Sequence, residues 1–173
     1  MRSRSATFGD RAQLKPGQTA LIHAGAGGVG HMAIQLAKLH NATVYTTVGS
    51  PEKGVDLALD TVGGQVFYNT IPAVRVYGDL VTILEPNSTL GNWKSARQRN
   101  LRISLELMLT PALQGLIPYQ EHQTNILRQC ATLIDQGKIK VHVSQTFPLA
   151  EASIAHRSLE RGSITGKMAL VIE

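Results

Sequence analysis

Gly25-Ala26-Gly27-Gly28-Val29-Gly30 is the feature that most narrows what this chain can fold into. The short apolar run from Thr19 to His23 precedes it directly. From Val29 to Leu39 the apolar residues then recur at near-helical spacing. A glycine turn between a strand and a helix brings backbone N–H groups to a helix N-terminus, where they can face an anion. In the G-x-G-x-x-G pattern the first glycine makes the tight turn and the second clears the approach of a pyrophosphate. The third lets the helix pack closely on its strand. Gly25, Gly27 and Gly30 take those places and Gly28 adds clearance. The strand and helix around the motif, more than the glycines themselves, predict dinucleotide binding.

Thr43 to Val48 is rich in β-branched residues and reads as a second strand, completing a strand–helix–strand unit of about thirty residues. A third strand, Val55 to Leu59, runs into Asp60-Thr61-Val62-Gly63-Gly64. A short helix follows over Gln65 to Val74, then strands over Asp79 to Leu84 and Leu101 to Leu109. Residues 85–100 and 110–119, with Pro86, Pro111 and Pro118, read as loops. A helix fits His122 to Gln136, closed by Gly137. Val141 to Phe147 is extended, Leu149 to Glu160 helical, and Lys167 to Ile172 a final buried strand. The expected fold is α/β, Rossmann-type, a mostly parallel sheet with helices on both faces. The 173 residues make a single domain.

Composition closes off several function classes. A chain that is 43% hydrophobic and 17% charged is globular rather than disordered. Cys130 is its single cysteine, which rules out an internal disulfide and suits a reducing, cytoplasmic compartment. No apolar run approaches the ~20 residues that span a bilayer, so no membrane partner is expected. The start, Met1-Arg2-Ser3-Arg4-Ser5, lacks the apolar stretch of a secretory signal. The net charge of +5 is dispersed apart from Arg97, Arg99 and Arg102, which lack interleaved aromatics, so no nucleic-acid partner is expected. Six histidines are scattered without ligand spacing, and no metal site is expected.

Cofactor choice is read about twenty residues past the glycines, where an acid at the strand end would hold an NAD ribose. The sequence there is Tyr45-Thr46-Thr47-Val48-Gly49-Ser50-Pro51-Glu52-Lys53, with no acid at the strand end. Ser50 can donate a hydrogen bond to a 2′-phosphate and Lys53 can supply its countercharge, which favours NADP(H). Glu52 counts against this, although an extended loop need not turn it toward the ligand.

Three stretches together resemble the medium-chain dehydrogenase/reductases, in the zinc-independent quinone oxidoreductase or zeta-crystallin-like branch. They are Leu14-Lys15-Pro16-Gly17-Gln18-Thr19-Ala20-Leu21-Ile22-His23-Ala24 with the glycine turn, Asp60 to Gly64, and Gly166-Lys167-Met168-Ala169-Leu170-Val171. The resemblance implies an NADP(H)-dependent oxidoreductase acting on a small molecule: a quinone, enone, aldehyde or alcohol. It places Gly25, Ala26, Gly27, Gly28, Val29 and Gly30 on the pyrophosphate, and Ser50 and Lys53 on the adenosine phosphate. Asp60, Thr61 and Val62 would pass near the cofactor ribose, and Leu84 and Glu85 would flank the nicotinamide. For Thr61 and Glu85 an ordinary role at a strand end explains the residue equally well. The resemblance also implies a homodimer through the 101–109 strand, whose apolar edge invites pairing. It further implies that residues 138–150 belong partly to a connection that returns to the family's catalytic domain.

Two departures from the family stand out. The N-terminal catalytic domain is absent from the resemblance, so no catalytic acid or base is assigned, and an inactive NADP(H)-binding or subunit-interaction module is the alternative reading. The second departure is an apparent deletion between Lys53 and Gly54, where relatives place a helix, the third, edge strand and another helix. Six residues, Gly49 to Gly54, would then return ~17 Å along a strand and ~9.6 Å sideways, against an extended reach of ~20–22 Å. A deletion, a lost segment, or an antiparallel hairpin of Thr43–Val48 with Val55–Leu59 would each account for it.

Overall fold

The computed structural model describes residues 13–46, 54–162 and 165–172. Five strands form its main sheet: β1 (Thr19–Ile22), β2 (Thr43–Tyr45), β3 (Val55–Asp60), β4 (Val74–Thr82) and β5 (Arg102–Leu105). Their order is β2-β1-β3-β4-β5 and every neighbouring pair is parallel. A parallel sheet needs apolar cover on both faces, and alternate residues along each strand supply it. Ala20, Ile22, Leu57, Leu59 and Val81 face one layer, where Ala33 and Ala37 of α1 (Gly30–Leu39) pack beside Leu14. Leu21, Ala58 and Leu80 face the other. They meet Phe67 and Tyr68 of α2 (Gly64–Thr70), Ile71 of the turn after it, and Ala96 of α3 (Lys94–Gln98). The α/β class with helices on both faces is therefore as the sequence predicts. The strand order is the Rossmann order 3-2-1-4-5-6 without its third strand.

The hairpin alternative is overturned. β3 pairs with β1 and runs parallel to it, on the side away from β2. What lets the short crossover close is the early end of β2. As described it ends at Tyr45, with Thr46 in a bend, so residues 46–54 join the strands; Thr47 and Val48 of the expected strand lie outside the described residues. Tyr45 lies level with Leu21, and Leu21 with Ala58. The return to Val55 is therefore only three residues deep, ~10 Å down and ~9.6 Å across. Nine extended residues reach ~30 Å, which leaves length to clear a layer of side chains.

Other expectations shift. The strand expected over 101–109 leaves the sheet after Leu105. Glu106 N–H makes a last bond to the Thr82 carbonyl and the chain turns into α4 (Thr110–Leu113). The loops expected over 85–100 and 110–119 contain α3, α4 and the start of α5 (Ile117–Asp135). Pro111 and Pro118 sit in the first turns of α4 and α5, where a missing N–H costs nothing, so here proline opens helices instead of breaking them. Gly137 closes α5 with φ +66°, its N–H on the Ile134 carbonyl. β6 (Val143–Pro148) and β7 (Lys167–Val171) form a separate parallel pair, with α6 (Ala152–Glu160) between them in sequence. β7 is half exposed, not the buried final strand expected, because β6 is its one strand neighbour among the described residues. No helix among the described residues is long and apolar enough to cross a membrane.

Candidate cofactor site

The glycine turn lies at the carboxyl end of β1, beside the carboxyl ends of β3 and β4. It is built around the carbonyl of Ala24, a residue held at φ +51°. That carbonyl accepts the Gly27 N–H at 2.8 Å. A Cβ on Gly30 would collide with the same oxygen, and one on Gly27 would lie 3.2 Å from it. Gly30 is thus required for the helix to start against the turn. A Cβ on Gly25 would press on Ile34 Cδ1 at 2.9 Å and Thr46 Cγ2 at 3.0 Å. The segment leaving β2 therefore begins against the turn, and Ser50 and Lys53 follow in that segment but lie outside the described residues.

Two observations suit the turn to a phosphate. Among the described residues, the N–H groups of Gly28 and Val29 make no backbone hydrogen bond, and Val29 is 51% exposed. α1 carries no acid in its first turn, so nothing there offsets the positive end of the helix. Glycine backbone, N–H groups without backbone partners and a bare helix end together suit an anion such as a pyrophosphate, with the Lys167 side chain lying across Gly28.

Asp60 behaves differently from a ligand-facing acid. It is fully buried, its Oδ1 accepting N–H bonds from Val62 at 3.0 Å and Gly63 at 2.9 Å. Its Oδ2 accepts the Thr82 hydroxyl at 3.1 Å. The carboxylate therefore shapes the turn after β3 and joins it to the end of β4. Thr61 donates its hydroxyl to the His23 carbonyl at 3.1 Å, tying the same turn to β1. Val62, 48% exposed, and Leu84, 41% exposed, line the open side with Glu85, and Leu84 rests on Gly63. The structure thus gathers Gly25–Gly30, Asp60–Val62 and Leu84–Glu85 at one end of the sheet.

His23 closes β1 and is half buried; its Nε2 meets the Thr70 hydroxyl at 2.8 Å, and that hydroxyl donates to the Val66 carbonyl at 2.6 Å. With the Thr70 hydroxyl spent on Val66, His23 Nε2 is the donor of that contact. Burial lowers its pKa, against the opposing pull of the Asp60 charge. Like His122, His142 and His156, which are exposed, it occupies a packing or surface place. No group of three or more His, Cys, Asp or Glu side chains gathers among the described residues.

Sequence reading missed the docking of the chain's end onto this turn. Gly166 donates its N–H to the Ala26 carbonyl at 2.8 Å, and Lys167 donates its own to the His142 carbonyl at 2.8 Å. His31 spans the two parts, its Nδ1 2.9 Å from the Gly27 carbonyl and its Nε2 facing the His142 N–H at 3.4 Å. The one signal in the sequence was the Gly166-Lys167 pair itself. Its distance along the chain from Gly28 hides the contact.

The parallel sheet, its strand order and the glycine turn after β1 define a Rossmann-type α/β protein. Residues 36–170 match the zinc-binding dehydrogenase family, and the chain belongs to that family. It is similar to a highly reducing polyketide synthase of Aspergillus terreus, 31% identical over 202 residues, covering 94% of this chain and 8% of that protein. Among solved structures it resembles an alcohol dehydrogenase superfamily protein from Novosphingobium aromaticivorans, with a TM-score of 0.84 and 28% identity over 98% of this chain. The quinone oxidoreductase from Coxiella burnetii gives a TM-score of 0.76 and 27% identity over 96% of this chain. The chain spans 61% and 56% of those two chains, and 5 to 8% of the fungal synthases it matches.

Proposed function

We propose that this chain is the nucleotide-binding part of an NADP(H)-dependent oxidoreductase that moves hydride between NADPH and a quinone, enone, aldehyde or alcohol. The observation that carries this is the open glycine turn at the carboxyl ends of β1, β3 and β4. Gly25 to Gly30 hold the pyrophosphate. Ser50 and Lys53 take the 2′-phosphate, supported by Thr46, which starts their segment against Gly25. Asp60 and Thr61 act through the shape they give the ribose-side turn, Val62 presents an apolar wall, and Leu84 and Glu85 border the nicotinamide. NADPH, when bound, supplies the hydride; the protein orients the ring and excludes water from it. The Aspergillus terreus relative's description as highly reducing fits reduction of a conjugated carbonyl.

The missing edge strand is read as a deletion after Lys53. About 163 residues of this chain enter the 202-residue match, so roughly 40 of its positions have no counterpart here. Spectrophotometric oxidation of NADPH with a panel of quinones and enones tests the catalytic reading. Turnover supports it. NADPH binding with no turnover on any member supports a second reading, a module that holds NADP(H) without chemistry. That second reading is favoured by the internal commitment of Asp60, Thr61 and Thr82, polar side chains at the carboxyl ends of β3 and β4 whose bonds are made within the protein. A homodimer pairs through β5, supported by its edge position and by the exposure of Leu105, Leu107, Met108 and Leu109. Sedimentation as a monomer at micromolar concentration overturns it. The cytoplasm is its proposed compartment.

A further inference from the structure

The Gly27–Gly28 peptide lies where the glycine turn passes into α1. It is trans, so its carbonyl and its N–H point in opposite directions. Whatever holds the Gly27 carbonyl therefore aims the Gly28 N–H. Two groups of one residue hold it: His31 donates its backbone N–H to that carbonyl at 3.1 Å, and its ring Nδ1 lies 2.9 Å away. The carbonyl is drawn back toward the helix. The Gly28 N–H, which makes no backbone bond among the described residues, is turned the other way, out of the helix end.

Nδ1 can donate in that contact only if it carries the ring proton, and the far side of the ring selects this tautomer. Nε2 accepts the His142 N–H at 3.4 Å, so it is the unprotonated nitrogen. The His142 N–H is brought there by Gln35, which follows His31 on the same face of α1. Gln35 donates its amide to the Lys140 carbonyl at 2.8 Å and accepts the Lys140 N–H at 2.7 Å. Behind His142 stands Gly166 at φ +83°, where a Cβ would collide with the His142 carbonyl and ring. The imidazole is thus set from both ends, by the glycine turn and by the segment entering β6.

We infer that His31 is a positioning residue of the dinucleotide turn: its Nδ1–H sets the Gly27–Gly28 peptide so that the Gly28 N–H already faces the pyrophosphate when the cofactor arrives. This assignment rests on the cofactor reading of the turn. A peptide aimed in advance loses none of its binding energy to reordering. His31 itself touches no cofactor atom; it acts through the backbone that it holds.

The test pairs NMR of the imidazole nitrogens with calorimetric titration. In the ligand-free chain His31 is expected as the Nδ1–H tautomer; an Nε2–H tautomer overturns the assignment, because that ring cannot donate to Gly27. NADPH and adenosine 2′-monophosphate, which lacks the pyrophosphate, are then titrated into the wild-type chain, His31→Ala, His31→Asn and His31→Gln, each checked for fold by circular dichroism. Asparagine puts an amide N–H near the place of Nδ1, whereas glutamine puts its amide near Nε2 and keeps the His142 contact instead. His31→Ala is expected to weaken NADPH binding about threefold to tenfold, the scale of one net hydrogen bond. His31→Asn recovers most of that loss and His31→Gln does not. Adenosine 2′-monophosphate binds all of them alike, which separates a misaimed peptide from a damaged fold. If the wild-type chain binds NADPH and His31→Ala binds it equally well, His31 is an ordinary packing residue and the assignment fails alone. Parallel weakening of both ligands, or no recovery in His31→Asn, overturns it in the same way. If the wild-type chain binds neither NADPH nor NADH, the cofactor reading fails and takes this assignment with it.

Discussion

Asp60 Oδ2 accepts the Thr82 hydroxyl at 3.1 Å, joining the ends of β3 and β4 where both residues are almost wholly buried. Thr82 Oγ1 also accepts the Leu84 N–H at 3.1 Å, and Asp60 Oδ1 accepts those of Val62 and Gly63. One carboxylate and one hydroxyl thus organise both segments assigned to the ribose and nicotinamide. Asp60→Ala leaves two N–H groups without their acceptor and should destabilise the chain by about 2–4 kcal/mol. Thr82→Val should cost about 1 kcal/mol. A double-mutant cycle by urea unfolding should show coupling above about 0.5 kcal/mol; additive effects would separate the two residues.

Gly30 and Gly27 differ in what a side chain would meet, and that difference is measurable. A methyl at Gly30 runs into the Ala24 carbonyl, which is backbone and yields little, so Gly30→Ala should cost about 1–3 kcal/mol. At Gly27 the same oxygen would lie at 3.2 Å, an adjustment of a few tenths of an ångström, and the fold should survive nearly unchanged. Gly27→Ala should nonetheless weaken NADPH binding, because the methyl stands on the cradle's backbone. Equal stabilities for the two variants would contradict the described turn.

Acid should act in two windows. Burial lowers the His23 pKa, so the unfolded chain binds the proton more tightly than the folded one. Its contribution is constant above the unfolded value of about 6.5 and is lost as pH falls below it. For Asp56 burial pushes the pKa upward, but the backbone N–H and hydroxyl of Thr19 and the Arg75 guanidinium outweigh it, leaving the carboxyl below its usual range. Those contacts are 2.7 Å each. That stability is present above about pH 3.9 and is lost as pH falls through the lower folded value. Thermal melts should therefore decline between pH 7.5 and 5.5, and His23→Gln should flatten that decline. Asp56→Asn should flatten the fall below pH 4.

Tyr68 is buried beside Phe67 and Trp93, with ring centroids 5.2 and 6.4 Å away, and its hydroxyl finds no partner among the described residues. An unsatisfied buried hydroxyl costs about 1–3 kcal/mol, whereas the ring contacts persist in phenylalanine. Tyr68→Phe should raise the urea midpoint. A lower midpoint would mean that the hydroxyl is satisfied in solution.

What the sequence made legible is what lies close together along the chain. β1, the glycine turn and α1 were readable because apolar spacing and glycines mark them locally. β3 was readable as a short apolar run, interrupted only by Asp56 and bounded by Asp60. The length of β2 was not: Thr43 to Val48 keeps its β-branched character past Tyr45, where the described pairing ends. Leu105 to Leu109 is likewise apolar beyond the point where the chain leaves the sheet. The helices at Pro111 and Pro118 were hidden because proline reads as a break unless its place in the first turn is known. In the site, the glycines declared themselves. The internal bonds of Asp60 and the reach of Lys167 to Gly28 depend on folding and left no local mark.

The central claim is that a crossover of nine residues still leaves an assembled dinucleotide site. Calorimetric titration of the mass-verified chain with NADPH, and with NADH in parallel, tests it most directly. The account predicts micromolar NADPH binding with much weaker NADH, since an assembled turn meets the pyrophosphate and Ser50 and Lys53 meet the 2′-phosphate. Binding of neither nucleotide would contradict it: the glycine turn would then mark what this chain descends from and not what it holds.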